Sequence, residues 1–157
     1  MNSLDNGQVR PTAALINPPH DSPTSQRHIR ALVVSPQLEV RKVLVRVLEA
    51  LSTDVISCST QLQAEEVLSL QSVEVVFCDE NLPDGSYADL IHPNHWDHKI
   101  PRVIVATRTG EWEFYFEALR KGAFDVVRCP WYATDVEMSV IRALREEDQA
   151  ASFRAAV

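Results

Sequence analysis

The amino-acid sequence predicts an α/β protein in which five parallel β-strands alternate with five α-helices. Five short apolar runs, each about as long as a buried strand, recur along the chain. Between them lie segments whose apolar residues follow helical spacing, joined by short connections. Such alternation places one parallel sheet between two layers of helices.

The composition is that of one globular domain with tails. The 157 residues are 45% hydrophobic and 24% charged, which suffices for a sizeable core. The net charge of −7 argues against general nucleic-acid binding, which needs clustered Lys and Arg. No apolar run reaches the length of a membrane span, and no signal peptide pattern is present. Cys58, Cys78 and Cys129 lack CxxC spacing, so we expect free thiols in a reducing cytoplasm.

Three regions are predicted along the chain. Residues 1–28 are rich in Pro, Asn, Ser and Thr and lack hydrophobic periodicity, so we expect a disordered N-terminal tail. Residues 29–148 contain all the predicted strands and helices. Residues 149–157 are expected to form a frayed C-terminal tail.

The first half of the domain is predicted to contain three strands and two helices. The strands cover residues 31–34, 54–58 and 75–77, and the second helix covers about residues 60–70. Ser35 is expected to cap the first helix, with Pro36 in its first turn and Arg41 on its solvent side.

Asp79 follows the third strand and precedes a turn made by Pro83 and Gly85. Open α/β sheets place their ligands at the carboxyl ends of strands. A short third helix is expected to end at Pro93. The expected strand order is the flavodoxin-like 2-1-3-4-5, which brings Ser35 and Asp79 into one crevice.

The second half of the domain continues the alternation. Residues 102–106 form a fourth strand that finishes at Thr107, and residues 124–128 form a fifth that precedes Cys129. Gly122 ends the fourth helix. Thr134 and Glu137 have the spacing of a capping box at the start of the last helix.

Three segments resemble a bacterial response-regulator receiver domain, and the resemblance covers about residues 30–147. Residues 78–85 are similar to the family's Asp-x-x-Leu/Met-Pro-x-x-Gly block, with Asp79 at the phosphoacceptor position. Residues 104–107 resemble the strand that carries the switch Thr or Ser, here Thr107. Residues 122–130 resemble the family's Gly-Ala-x-Asp-Tyr-Leu-x-Lys-Pro segment.

The resemblance implies transfer of a phosphoryl group to Asp79 from a histidine kinase, a phosphotransfer protein or a small acyl phosphate. Mg²⁺ is the cofactor implied if Asp79 is phosphorylated, because a hard cation must hold oxygens of growing charge. In the family an acidic pair after strand 1 holds the metal, and a Lys after strand 5 binds phosphoryl oxygens. Asp79 and the backbone position of Asn81 are the metal candidates that remain here.

The sequence departs from the family at most of these positions. Ser35 and Pro36 occupy the places of the acidic pair, Cys129 that of the Lys, and Val126 that of the switch aromatic. Arg108 replaces a small residue that normally leaves room for water or phosphate. A domain whose site lacks these carboxylates and this cation is expected to be a degenerate receiver, or pseudo-receiver.

Charged residues near the crevice suggest substitutes for the missing groups. Arg108 is predicted to form a bidentate pair with Asp79, in place of both the metal and the Lys, or else to face solvent. Glu80 and Asp84 are candidate replacement acids, although strand alternation points Glu80 away from the crevice.

Two other clusters have a structural and a chemical interpretation. Cys78 and Cys129 are expected to be buried, in preference to acting as redox thiolates. The three histidines and Asp97 within residues 92–98 are expected to form a polar surface loop, in preference to a zinc site.

Four large aromatic residues occupy positions 112–116 of the fourth helix. They cannot all face inward at 3.6 residues per turn, so Trp112 or Phe114 is expected to be exposed. The receiver family docks partners on the face formed by helix 4, strand 5 and helix 5. Trp112, Phe114 and Val126 are therefore the predicted partner surface, with packing against residues 131–132 as the alternative.

These features predict a stand-alone, non-enzymatic signalling module of a two-component phosphorelay. Either the domain is locked and acts through protein contacts, as an adaptor or homodimer, or Asp79 is phosphorylated and switches the partner surface. A flavodoxin-like flavin binder is the alternative of another class. It is disfavoured because residues 35–39 lack the run of N–H groups and hydroxyls of a phosphate loop.

Overall fold

The computed structural model describes residues 28–91 and 100–156. In this part of the chain the strands are β1 (Arg30–Val34), β2 (Asp54–Cys58), β3 (Val75–Asp79), β4 (Asn81–Leu82), β5 (Gly85–Ser86), β6 (Arg102–Thr107) and β7 (Asp125–Arg128). The helices are α1 (Leu38–Ala50), α2 (Gln61–Leu70), α3 (Tyr87–Ile91), α4 (Trp112–Arg120) and α5 (Ala133–Ala155).

Five of these strands form one parallel sheet in the order β2-β1-β3-β6-β7, which confirms the predicted order. Val34 of β1 pairs with Cys58 on one side and Cys78 on the other. Asp79 pairs with Ala106 of β6. Because parallel strands end at the same edge, the residues that follow β1, β3 and β6 meet there.

The strands are short and apolar because both faces of the sheet are covered. Alternate strand residues enter two separate clusters, one beneath α2, α3 and α4 and one beneath α1 and α5. Leu32 and Val34 belong to the first cluster, and Val33 and Phe77 to the second, all fully buried. This two-sided burial holds the carboxyl ends of the strands in place.

A short antiparallel hairpin, β4 with β5, follows β3 directly. Leu82 pairs with Gly85 across the turn that Pro83 and Asp84 make. The sequence predicts this turn from Pro83 and Gly85, but not its pairing.

The starts of two helices differ from the predictions. The residue that precedes α1 in capping position is Gln37, and Ser35 is not the cap. The Ser35 hydroxyl accepts the Gln37 N–H at 3.2 Å, in a turn before the helix. The capping residue of α5 is Tyr132, without a side-chain hydrogen bond. Thr134 therefore lies inside the first turn, and the predicted capping box is wrong.

The last helix is longer than predicted. α5 runs to Ala155, so the frayed tail expected over residues 149–157 is wrong for residues 149–155. This segment consists mostly of strong helix formers and contains neither Gly nor Pro. Arg154 in the last turn also interacts favourably with the helix dipole.

Three predictions lie outside the described residues: the tail over residues 1–27, the histidine cluster at residues 92–98 and the end of the third helix at Pro93. Among the helices of residues 28–91 and 100–156, none combines the length and apolar character needed to cross a lipid bilayer.

Candidate functional site

Asp79 lies at the carboxyl end of β3, where its side chain is 13% exposed. The Ser35 hydroxyl donates a hydrogen bond of 2.8 Å to its Oδ2 atom. Ser35 is itself fully buried, at the end of the neighbouring β1. The predicted crevice between these strand ends is therefore present, and a neutral hydroxyl is the hydrogen-bonded neighbour of the carboxylate.

Arg108 brings a positive charge to this crevice. Its Nη2 atom lies 3.6 Å from Asp79 Oδ2, and its side chain is 47% exposed. The distance suits an ion pair but exceeds a hydrogen bond, so the predicted bidentate geometry is absent. A half-exposed pair of this kind contributes about 0.2–1 kcal/mol to stability, because solvent screens it.

A second guanidinium, that of Arg41, also approaches the crevice. Its Nη1 atom donates a 2.6 Å hydrogen bond to the Ser35 carbonyl oxygen. The prediction that Arg41 faces solvent is wrong, because side chains of a first turn lean back toward the helix N-terminus. The sequence did contain a signal for this position. Arg41 lies in the first turn of α1, where the helix dipole disfavours a positive charge.

Thr107, at the end of β6, is buried, and its hydroxyl bonds to Glu80 and Thr109 instead of Asp79. Its hydroxyl donates a 3.0 Å hydrogen bond to Glu80 Oε2 and lies 3.0 Å from the Thr109 hydroxyl. The sequence predicts that Glu80 points away from the crevice, and its carboxylate contacts Thr107 at the end of the neighbouring β6. β3 ends at Asp79, so strand alternation does not extend to the next residue.

Asp84 acts at a helix terminus. Its two carboxylate oxygens accept the backbone N–H groups of Gln61 at 2.7 Å and Leu62 at 2.9 Å, at the start of α2. These hydrogen bonds, first that from Leu62, lower the pKa of Asp84. The contacts of Asp84 therefore hold its carboxylate against the start of α2.

Replacing Asp84 by alanine is expected to lower the thermal stability at neutral pH, since two N–H groups of α2 lose their acceptor. The folded-state pKa is below the ordinary 3.8, so this stabilisation is present above that value. It is lost as the pH falls through the folded-state pKa. Melting temperatures measured from neutral to acid pH should converge for wild type and Asp84→Ala. The control is Glu66→Ala, an exposed acid on the same helix.

The groups around Asp79 do not fit Mg²⁺. That ion needs several oxygen ligands, and the contacts here are one hydroxyl and one guanidinium. Pro36 and Asn81 are exposed, and Asn81 lies in the β4–β5 hairpin. Within residues 28–91 and 100–156, no three His, Cys, Asp or Glu side chains are grouped so that they could hold a metal ion.

The three thiols are free. Burial raises the pKa of Cys58 to about 11 and also raises that of Cys78, so both stay protonated at neutral pH. Cys129 is exposed, contrary to the prediction of burial, because it follows the end of β7. Its backbone N–H donates to the Thr107 carbonyl oxygen at 2.8 Å.

The predicted partner surface is only partly exposed. Of the predicted pair Trp112 or Phe114, Trp112 is the exposed residue, at 67%, and Phe116 is also 63% exposed. Phe114 is half-buried and packs edge-to-face on Tyr87 at 6.1 Å. Val126 is buried beneath α4 and is wrong as a surface residue, because its position in β7 faces the core.

A groove of about 400 Å³ lies between α4, β7 and α5. Trp112 and Met138, both exposed, are in its wall, and the Arg128 guanidinium lies 6.0 Å from the Trp112 ring centroid. Below them, Ser139 and Arg142 both donate to the buried Asp125 carboxylate. The groove thus has an aromatic ring and a guanidinium at its rim, above a set of hydrogen-bonded polar side chains.

Comparison with solved structures identifies the class of fold. The signal receiver domain of an HD domain-containing protein from Pseudomonas fluorescens Pf-5 matches with a TM-score of 0.69 at 19% identity, over 78% of this chain and 99% of that chain. The beryllofluoride-activated NtrC4 receiver domain dimer matches with a TM-score of 0.65 at 26% identity, over 74% and 97%. The chain has the CheY-like, flavodoxin-like fold of receiver domains.

Two curated relatives match part of the chain, one named as a response regulator and one as a transcriptional regulatory protein. The response regulator protein PilR of Pseudomonas aeruginosa is 29% identical over 116 residues, which cover 74% of this chain and 26% of PilR. The transcriptional regulatory protein CitB of Klebsiella pneumoniae is 29% identical over 133 residues, covering 80% of this chain and 57% of CitB. No family model matches the sequence. The predicted resemblance to response-regulator receiver domains is confirmed.

Proposed function

We propose that this chain is a receiver module of two-component signalling that acts through protein contacts, with little or no phosphorylation of Asp79. The observation that carries the proposal is the surroundings of the Asp79 carboxylate. Its near neighbours are the Ser35 hydroxyl at 2.8 Å and the Arg108 guanidinium at 3.6 Å. Neither is a metal-binding acid.

Phosphoryl transfer depends on positive charge held against the transferred oxygens. The strand-end position of the family's Lys is occupied by Cys129, which is exposed and does not supply the fixed positive charge of a Lys side chain. Arg108 is half-exposed and belongs to a loop after β6, so it screens Asp79 without forming a rigid clamp. These surroundings therefore favour an Asp79 side chain that stays unmodified over one that accepts a phosphoryl group.

The partner surface of this proposal is the groove between α4, β7 and α5. The Trp112 ring at this groove stacks on the ring of Phe116, with the two centroids 6.3 Å apart. Both rings are largely exposed. Exposed aromatic side chains beside an Arg are typical anchors of protein interfaces. A downstream protein is the proposed occupant, and a histidine kinase or phosphotransfer protein is the proposed upstream contact. A second copy is the alternative, since the NtrC4 receiver domain is described as a dimer.

Incubation with acetyl phosphate and Mg²⁺, followed by intact-mass measurement, tests whether Asp79 is phosphorylated. We expect no phosphoryl adduct on the wild type beyond that of Asp79→Asn, because the crevice lacks metal ligands. A receiver domain with both acids and the Lys serves as the positive control under the same conditions.

Substantial labelling that disappears in Asp79→Asn would instead support the alternative, a phosphorylatable response regulator switched at Asp79. The partial, 13% exposure of the Asp79 side chain and the presence of Thr107 at the end of the neighbouring β6 are the features that favour that alternative.

A further inference from the structure

Every hydrogen-bonding position of the Thr107 hydroxyl is occupied. It is 3.0 Å from Glu80 Oε2 and 3.0 Å from the Thr109 hydroxyl, and it accepts the Thr109 N–H at 3.0 Å. An ionised carboxylate only accepts, so Thr107 gives its single proton to Glu80. The Thr109 hydroxyl and N–H then fill the two acceptor positions. No proton is left for another oxygen.

The geometry points to Glu80 as a positioning residue that holds the Thr107 hydroxyl within the fold. We propose that this internal carboxylate competes with any anion at Asp79 for the Thr107 proton. The proposal rests on the proposed function only in taking the chain as a receiver module, in which Thr107 stands at the position of the switch residue. The contact itself is independent of whether Asp79 is modified.

Two features make the contact effective. Thr107 is 1% exposed, so water does not readily replace Glu80 as its acceptor, and a hydrogen bond to a charged group is stronger there. Glu80 also follows Asp79 directly in the chain, at the end of β3.

The side-chain rotamer of Thr107, measured by three-bond NMR couplings, tests the proposal without phosphate or metal. The wild type and Glu80→Gln are expected to show one Thr107 rotamer, because the Gln amide oxygen still accepts. Glu80→Ala is expected to show rotamer averaging and about tenfold faster amide exchange at Thr109, whose N–H loses a fixed acceptor. Glu66→Ala, which removes an exposed acid elsewhere, is the matched control.

A Thr107 rotamer that is unchanged in Glu80→Ala would overturn the proposal. If that variant does not fold, Thr107→Val removes the donor and keeps the shape of the side chain. The carboxyl carbon signal of Glu80 is then expected to move in Thr107→Val, and an unmoved signal overturns the proposal. Labelling of Asp79 by acetyl phosphate would contradict the proposed function but leave these NMR results unaffected, so the two failures are distinguishable.

Discussion

The triple variant Ser35→Asp, Pro36→Asp, Cys129→Lys is expected to depend on Mg²⁺ for its stability and to gain labelling at Asp79. An aspartate at position 35 would lie against the Asp79 carboxylate, where Ser35 now donates at 2.8 Å. Without metal these like charges repel and destabilise the fold. A divalent cation relieves the repulsion and gains carboxylate ligands.

The expected effects are large enough to measure directly. Mg²⁺ at about 100 times its dissociation constant would stabilise the variant by about 2.7 kcal/mol. A lysine at position 129 adds a charged hydrogen-bond donor worth about 1.5–3 kcal/mol. That corresponds to roughly a ten- to hundredfold gain in acetyl phosphate labelling. The measurements are the melting temperature with and without Mg²⁺ and the intact mass.

Two controls separate metal binding from general destabilisation. Adding Asp79→Asn to the triple variant should weaken the Mg²⁺ response and abolish labelling. Cys129→Lys alone should leave the melting temperature insensitive to Mg²⁺, since it adds no oxygen ligand. A triple variant whose stability ignores Mg²⁺ would show that some feature other than these three positions limits the crevice.

Phe77→Ala is expected to lower the free energy of unfolding by about 3–5 kcal/mol. Phe77 is fully buried in the cluster beneath α1 and α5, two residues before Asp79. Truncation removes the burial of an aromatic ring and leaves a cavity that a close-packed sheet cannot fill. The loss is a large fraction of the 5–15 kcal/mol typical of domain stability.

Urea denaturation of wild type and Phe77→Ala measures this loss directly. The matched control is Leu70→Ala, whose side chain is 74% exposed and which should change stability by no more than about 0.5 kcal/mol. An equal loss of unfolding free energy in both variants would mean that the buried Phe77 ring contributes no more to stability than an exposed side chain does.

The order of the strands and the meeting of Ser35 with Asp79 could be predicted from the sequence. Both follow from local patterns: apolar runs of strand length, helical spacing between them and the rule that parallel strands end at one edge. Helical geometry also predicted that Trp112 or Phe114 is exposed, and the exposed residue is Trp112. These predictions depend on periodicity along the chain, which needs no knowledge of distant residues.

The chemistry around Asp79 was harder to predict, because it depends on where long side chains reach. Glu80 was placed by strand alternation, but the strand ends one residue earlier and its carboxylate contacts Thr107. Asp84 looked available for a metal, yet its oxygens hold the start of α2, about 22 residues earlier in the chain.

The sequence by itself determined the sheet, the position of Asp79 and the absence of acids at positions 35 and 36. Only the tertiary structure decided which groups contact one another there: Ser35 and Arg108 at Asp79, and Glu80 at Thr107. The physical reason is one of range. Periodicity and turn chemistry act over a few residues, whereas hydrogen bonds between side chains depend on angstrom-scale distances between strands and loops that are remote in sequence.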